Sequence, residues 1–277
     1  MSLHVFGTIL TPYGVAANNR GENEGNVSTL QKVLWDGSMH TTVSGEAIRY
    51  ALRETWMQDH AKLLNRRVQS DGFDWQDDAF KKPANFLDDT VLGFMDPKKD
   101  TNKRRAALEI TRAVSTRPWV GDVSFNVASV QAQRINKNPV PYAVEMHATR
   151  FQYSFALSGD DVKNDWKGIT LLGLANLRRV AGNHARFLFD FAPAAIVLRI
   201  THDPAPRILY CFDESEEGIR MNQLVQKVTA GDVDAGELII GGEVSSISEV
   251  AELKDKGATV FDGIKPAIAE AINRIGK

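Results

Sequence analysis

The sequence predicts an α+β fold built on a mainly antiparallel sheet, and three observations carry that prediction. One long segment, Ser44 to Arg66, has helical apolar spacing. Short runs rich in branched and aromatic residues, "SLHVFGTIL" and "AAIVLRITH" among them, read as strands. Their order is strand, helix, insertion, β-ribbon, helix, strand, strand, helix, strand, helix, which fits a split βαββαβ unit carrying insertions.

The elements follow in turn. The opening run is the first strand. Behind it "ANNRGENEGN" fills the first loop with amides and glycines and a single arginine. "DGS" marks a turn before the strand-forming "MHTTV". Ser44 is the N-cap of the first helix, because its hydroxyl can accept from a free first-turn amide. Glu46 suits the positive end of that helix dipole. Ile48, Leu52 and Trp56 recur every four residues as the buried stripe. From Ser70 to Pro118 no period is sustained and Asp, Lys, Gly and Pro abound, so this stretch reads as a large insertion with partial structure. "VGDVSFNVASVQAQRINKNPVPYAVEMHATRFQYSFAL" reads as two extended runs around the polar turn "INKNPVP". "WKGITLLGLANLRRVAG" is an amphipathic helix stopping at Gly182. "PRILYCF" reads as a short strand, "EGIRMNQLVQKVTA" and "GIKPAIAEAINRIG" as helices, and "GELIIGGEV" as a strand between them.

The 277 residues are 43% hydrophobic and 25% charged, ordinary for a globular chain with a sizeable core. A net charge of −2 excludes no partner, since nucleic-acid binding needs a basic face rather than a basic total. The one cysteine, Cys211, forms no internal disulfide, and no run of 18 apolar residues could span a membrane. These features predict a soluble, cytoplasmic protein. Charge is segregated, however. "KKDTNKRRAALEITRAVSTR" sets Lys98, Lys99, Lys103, Arg104, Arg105, Arg112 and Arg117 against only Asp100 and Glu109, while the part from Asp213 onward is mildly acidic. The basic stretch is either a phosphate-binding surface or a solvated loop.

Arg49 and Arg53 stack four residues apart beside the apolar stripe, and like charges at that spacing repel unless something anionic lies across them. A phosphodiester backbone near the free amides of Ser44 and Gly45 would satisfy both. The alternative pairs each with an acid such as Glu46 or Glu54. His4, His40, His60, His147, His184 and His202 lack the spacing of a zinc site, so no metal or other cofactor is expected. Cys211 lies in an apolar run and reads as a buried small hydrophobe. The pairs Asp88/Asp89 and Asp77/Asp78 read as solvated surface. No catalytic set emerges.

Five stretches, in order from Val5 to Thr201, resemble one known family. "GVAANNRGENEGNVSTLQKV" and "HTTVSGEAIRYALRE" are similar to the N-terminal signature of the backbone subunit of type I CRISPR Cascade, in its DevR-like, type I-B-like branch. "DDTVLGFMDPKKDTNKRRAALEITRAVST" resembles that family's central basic segment. "PVPYAVEMHATRFQYSFAL" resembles the strand leaving its hairpin, and "VAGNHARFLFDFAPAAIVLRIT" its late Gly-Asn loop and following strand. The N-terminal pair is the specific part, and beyond Pro204 little matches.

The resemblance implies a modified RNA-recognition (ferredoxin-like) fold, with residues 1–277 as one palm domain, a fingers-type insertion at 57–118 and a thumb-type β-hairpin at 119–150. It implies copies polymerised in a helical filament along a guide RNA (crRNA), presenting it for pairing with target DNA. The other implied partners are further Cascade subunits: a small capping subunit, a large subunit and a guide-processing endonuclease. Carried onto this sequence, Asn18, Asn19 and Arg20 meet the guide backbone. Ser44, Gly45, Arg49 and Arg53 hold phosphates along the first helix. Lys103, Arg104 and Arg105 lie on the inner face of the fingers, and Gln131, Gln133 and Arg134 lie near the thumb's polar part. Amides and glycines suit sequence-independent contact with a sugar-phosphate chain. No chemistry is asked of this chain. A related branch, the type III backbone subunits, cleaves RNA with an aspartate before the first helix. This loop offers Glu22 and Glu24 and no aspartate before Asp36, so such an RNase is the alternative reading. A scaffold binding only protein partners is a third.

Overall fold

The computed structural model describes residues 2–17, 23–69, 72–96, 102–127, 141–160, 162–177, 179–181 and 188–276. Its frame is a nine-stranded sheet. In chain order the strands and helices that position the site are β1 (His4–Leu10), β2 (Gly14–Ala16), β3 (Lys32–Trp35), β4 (Ser38–Val43), α1 (Gly45–Asp59) and α2 (Leu87–Val91). There follow β5 (Leu108–Ile110), β6 (Ala113–Ser115), β7 (Asp122–Val127), β8 (Pro141–Thr149), β9 (Phe151–Leu157) and α3 (Asn164–Ala175). The chain closes with β10 (Ala195–Thr201), α4 (Asn222–Thr229), β11 (Leu238–Gly242), α5 (Ser248–Asp255), β12 (Thr259–Phe261) and α6 (Ile264–Ile275).

Across the sheet the order is β12-β11-β10-β1-β9-β6-β4-β3, with β5 also pairing β9. Every pairing is antiparallel except β11 with β12. The mixed α+β class is thus as read from sequence. β5 and β6 lie within the stretch read as an insertion, yet they belong to this sheet.

Strand alternation sorts the core into two layers. Val5 and Ile9 of β1 join Ile48, Leu52 and Trp56 of α1, Leu171 and Leu174 of α3, and Ile268 and Ala271 of α6. Phe6 and Leu10, on the opposite face, join Cys211, Phe212, Leu224 of α4 and Val250 and Leu253 of α5. The second sheet carries the hairpin of β7 and β8, in register from Asp122↔Met146 to Val127↔Pro141. No helix among the described residues is long and apolar enough to cross a membrane.

Three expectations are corrected. α3 ends at Ala175 with Asn176 as its C-cap, well before Gly182, which lies outside the described residues. Residues 206–212 form no strand. Arg207 and Tyr210 have positive φ (53° and 51°), and side chains replace a ladder partner. Thr8 Oγ1 donates to the Ile208 carbonyl (2.7 Å), Ser154 Oγ accepts from the Tyr210 amide (3.0 Å), and Gln152 Nε2 donates to the Phe212 carbonyl (2.8 Å). The segment lies across the sheet's second face, and its alternating apolar residues record that burial. The C-terminal part also holds more than was read: α5 and β12 were not foreseen.

Candidate nucleic-acid interface

The first helix begins as its sequence requires. Ser44 is extended, and its Oγ accepts from the Ala47 amide at 3.2 Å. Gly45 is buried, and a Cβ there would lie 2.7 Å from the Ile110 carbonyl oxygen. The helix start is therefore pressed onto the end of β5, a contact only glycine permits. Arg49 and Arg53 follow on one face. Arg49 Nη2 donates to the Leu92 carbonyl. Arg53 Nε lies 3.7 Å from Asp88 Oδ2, and Nε is buried without a hydrogen-bond partner among the described residues. Arg53's close acid is thus Asp88 of the insertion rather than Glu46 or Glu54. Burial lowers the pKa of both arginines; Glu46 opposes it at Arg49, and Asp88 opposes it at Arg53. Arg66 and Arg49 push Arg53 down further, so the helix face is a crowd of guanidinium groups.

The partner acids overturn the solvated reading of Asp88 and Asp89, which are 1% and 2% exposed. Asp88 accepts from the amides of Asn65 (2.8 Å) and Arg66 (3.1 Å), and Asp89 from Asn65 Nδ2 (2.8 Å). Donors some twenty residues upstream make burial of two adjacent carboxylates tolerable. Asp89 is pushed up to about 7, first by burial and then by the Asp88 charge.

The insertion brings the second basic group to this place. Gly93 (φ 67°) turns the chain after Leu92, and a Cβ on it would lie 2.5 Å from the Arg104 carbonyl oxygen and 2.7 Å from the Ala106 nitrogen. Phe94–Met95 then pairs with Lys103–Arg104. One turn therefore joins the residue that Arg49 grips to the basic segment. Lys103 and Arg105 are exposed and Arg104 is half-buried. Arg105 Nε donates to Glu109 at 3.0 Å.

Asn18, Asn19, Arg20 and Glu22 lie outside the described residues, as do Gln131, Gln133 and Arg134. The flanks of both segments meet on β8. β2 pairs there at Ala16↔His147, and Val27–Ser28 runs parallel to Ala143–Val144. The first loop thus leaves and returns along one strand of the hairpin. Glu145, nearly buried, fixes the junction by accepting from the Leu30 amide (2.6 Å) and Lys32 Nζ (2.5 Å). Lys32 Nζ also sits 4.0 Å from the Trp119 ring centroid. Beneath lie His147, whose Nδ1 meets Thr41 Oγ1 at 2.8 Å, and His40, whose Nδ1 meets the Ser115 carbonyl at 2.6 Å. Burial lowers His147 to about 4.

Sequence reasoning passed over Arg112 and Tyr210 individually, and over Trp35 altogether. Arg112 is exposed, and its Nη1 donates to Gln31 Oε1 and Thr42 Oγ1, both at 3.2 Å. Asp36, read from the sequence as a turn residue with no catalytic role, is exposed in the β3–β4 turn at φ 46°. Cys211 is buried, which pushes its thiol up to about 12, so it is no nucleophile at neutral pH. Among the described residues no group of three or more His, Cys, Asp or Glu is placed to hold a metal ion.

Residues 12–231 match the model of a family described as CRISPR-associated negative auto-regulator DevR/Csa2. The chain belongs to the DevR/Csa2 family. A DevR/Csa2 relative from Myxococcus xanthus (strain DK1622), called CRISPR-associated protein Cas7/Cst2/DevR, is 44% identical over 297 residues, covering 99% of this chain and 98% of that protein. The DevR/Csa2 chain also has the fold of a chain from a CRISPR RNA-guided surveillance complex, with a TM-score of 0.62 at 12% identity over 99% of each chain. A chain from a second such complex, described as pre-nicking, gives a TM-score of 0.63 at 11% identity, covering 99% of this chain and 100% of that one.

Proposed function

We propose that this chain is the repeating backbone subunit of a CRISPR surveillance complex, coating a guide RNA in many copies and presenting it to target DNA. One observation carries the reading. The arginines of α1 and the basic segment of the insertion, far apart in sequence, are joined through the Leu92–Gly93 turn. Arg53 and Arg66 face Asp88, Arg49 adds its charge beside Arg53, and Asp89 holds its proton until about neutral pH. That surplus of guanidinium groups suits a phosphate chain. The palm is a modified RNA-recognition fold. In its support, β1, α1, β6, β9, α3 and β10 follow the βαββαβ order, and their strands lie side by side as fourth, first, third, second. Residues 57–118, apart from the end of α1 and the sheet strands β5 and β6, then serve as fingers, and 119–150 as thumb.

In this mechanism Asn18, Asn19 and Arg20 hold the guide backbone from the first loop, whose flanks lie along the thumb strand. Ser44, Gly45, Arg49 and Arg53 hold phosphates at α1, and Lys103, Arg104 and Arg105 extend that track across the fingers. Gln131, Gln133 and Arg134 meet the guide from the thumb. Base identity is left to Watson–Crick pairing, so one subunit serves any spacer. The chain itself performs no chemistry. Its other partners are further copies of itself and the remaining subunits of the complex.

The test is binding of unrelated single-stranded RNAs across a salt series. Wild type should bind all sequences alike, and an Arg20/Arg49/Arg53 triple alanine variant should lose affinity and reduce the salt slope by about 2. Because Arg53 also faces buried Asp88, a Lys103→Ala/Arg105→Ala variant on the exposed segment serves as a second arm, with thermal melts on both. Unchanged affinity in both variants would remove this RNA path.

A further inference from the structure

The sheet face turned away from α1 and α3 carries an aromatic pair that the phosphate track does not use. Trp35, at the end of β3, is 39% exposed, and its ring centroid lies 5.0 Å from that of Tyr210. Tyr210 is held in a left-handed conformation at φ 51°, costly for a bulky residue. Two bonds keep it there: Ser154 Oγ accepts from its amide, and its hydroxyl donates to the Arg112 carbonyl at 2.6 Å. Arg112 continues the row, its guanidinium over Gln31 and Thr42. Thr42 stands two residues before the Ser44 cap, so the row ends beside the start of α1.

The exposed apolar neighbours do not extend this surface. Leu34 and Met39 are directly opposed across the β3–β4 hairpin, and strand alternation turns them to the other face from Trp35. What remains is two ring faces, one guanidinium, one hydroxyl and one amide, a composition that fits a nucleotide better than an apolar protein surface. Sheet aromatics stacking bases, with an arginine for the phosphate, is a recurring solution for single strands.

We propose that Trp35 and Tyr210, with Arg112 at their edge, form a stacking platform for an unpaired base of a single-stranded nucleic acid. The platform rests on the RNA-coating reading, to which it adds base contact without base identity, because every base offers a π-face. It places a base on the far side of the sheet from α1, so a strand gripped at the helix start turns over the β3–β4 edge.

The test uses the whole chain and three oligoribonucleotides of one length: an ordinary one, one bearing 2-aminopurine, and one of abasic units. Wild type should quench the 2-aminopurine and prefer the ordinary strand to the abasic one. Trp35→Ala should lose the quenching and bind the ordinary strand roughly tenfold more weakly, with salt slope and abasic affinity unchanged. Trp35→Phe should restore much of both and guards against a folding artefact. Equal quenching and affinity in Trp35→Ala overturns the platform alone, and so does an equal loss on ordinary and abasic strands. No binding of any strand by wild type overturns the coating reading beneath it.

Discussion

Asp89 and His147 are both withdrawn from water, and their titrations pull stability in opposite directions. Asp89 rises from 3.8 to about 7, first through burial and then through Asp88, while the bond from Asn65 opposes the rise. Between pH 4 and 7 the folded chain therefore holds more protons than the unfolded one, and stability falls as pH rises. His147 falls from 6.5 to about 4, chiefly through burial, with the Pro118 carbonyl opposing and His40 adding to it. Between pH 6.5 and 4 the unfolded chain holds more protons there, and stability falls as pH drops. The two slopes offset each other in the wild type. Asp89→Asn should expose the histidine slope, giving a melting temperature that drops more steeply from pH 6.5 to 4.5. His147→Gln should expose the aspartate slope, giving one that drops from pH 4.5 to 7. Melting curves over that range decide it, and profiles parallel to wild type in both variants would refute it. Neither shift was legible in the sequence. Asp88-Asp89 looks like any solvated acidic pair until Asn65 and Arg66 supply its donors, and His147 looks like a lone histidine until Thr41 and Pro118 close over it.

What holds the insertion against α1 is a turn. Gly93 has φ 67° and no room for a Cβ against the Arg104 carbonyl. Gly93→Ala meets a strain of about 1–2 kcal/mol for the left-handed backbone, and the steric overlap adds to it. The expected outcome is a melting temperature lower by several degrees and faster amide exchange confined to 87–95 and 102–106. RNA affinity should also fall, because Leu92 no longer presents its carbonyl to Arg49. Exchange spread evenly over the sheet, or wild-type affinity in a loosened insertion, would separate this turn from the site. Elements whose causes are local were readable: the Ser44 cap, the Ile48/Leu52/Trp56 stripe, the Asp36-Gly37 turn, and the strands around Ile9, Val197 and Ile239. Elements shaped by distant partners were not. The run from Arg207 to Phe212 alternates like a strand, but Thr8, Gln152 and Ser154 take its backbone groups, so the pattern marks a buried face and not a ladder. Of the site, the positions of Arg49 and Arg53 on one helical face were legible, while their neighbours Leu92 and Asp88, about forty residues on, were not.

At the scale of the whole molecule, the C-terminal part is frame rather than appendage. The family match ends at residue 231 and little beyond Pro204 is recognisable in the sequence, yet the sheet continues through β11 and β12. Strands added at a sheet edge carry no sharp motif, since any branched residues of the right size fill them. Leu238, Ile239, Ile240, Val244, Val250, Leu253, Ile268 and Ile275 are all buried, and α6 packs on α3 within the same core as α1. Burial of such side chains contributes roughly 1.5–3 kcal/mol each, large against the ~5–15 kcal/mol by which a typical domain is stable. Deleting residues 232–277 should therefore abolish cooperative folding and leave β10 as a bare apolar edge, prone to aggregation. Circular dichroism melts and gel filtration of the truncated chain test this. A monomer with a sharp melt would mean that the first 231 residues hold a self-sufficient core, and that the C-terminal layer is an accessory docked on it. Aggregated protein without a transition would mean that helix α1 depends, through α3 and α6, on the least recognisable part of the chain.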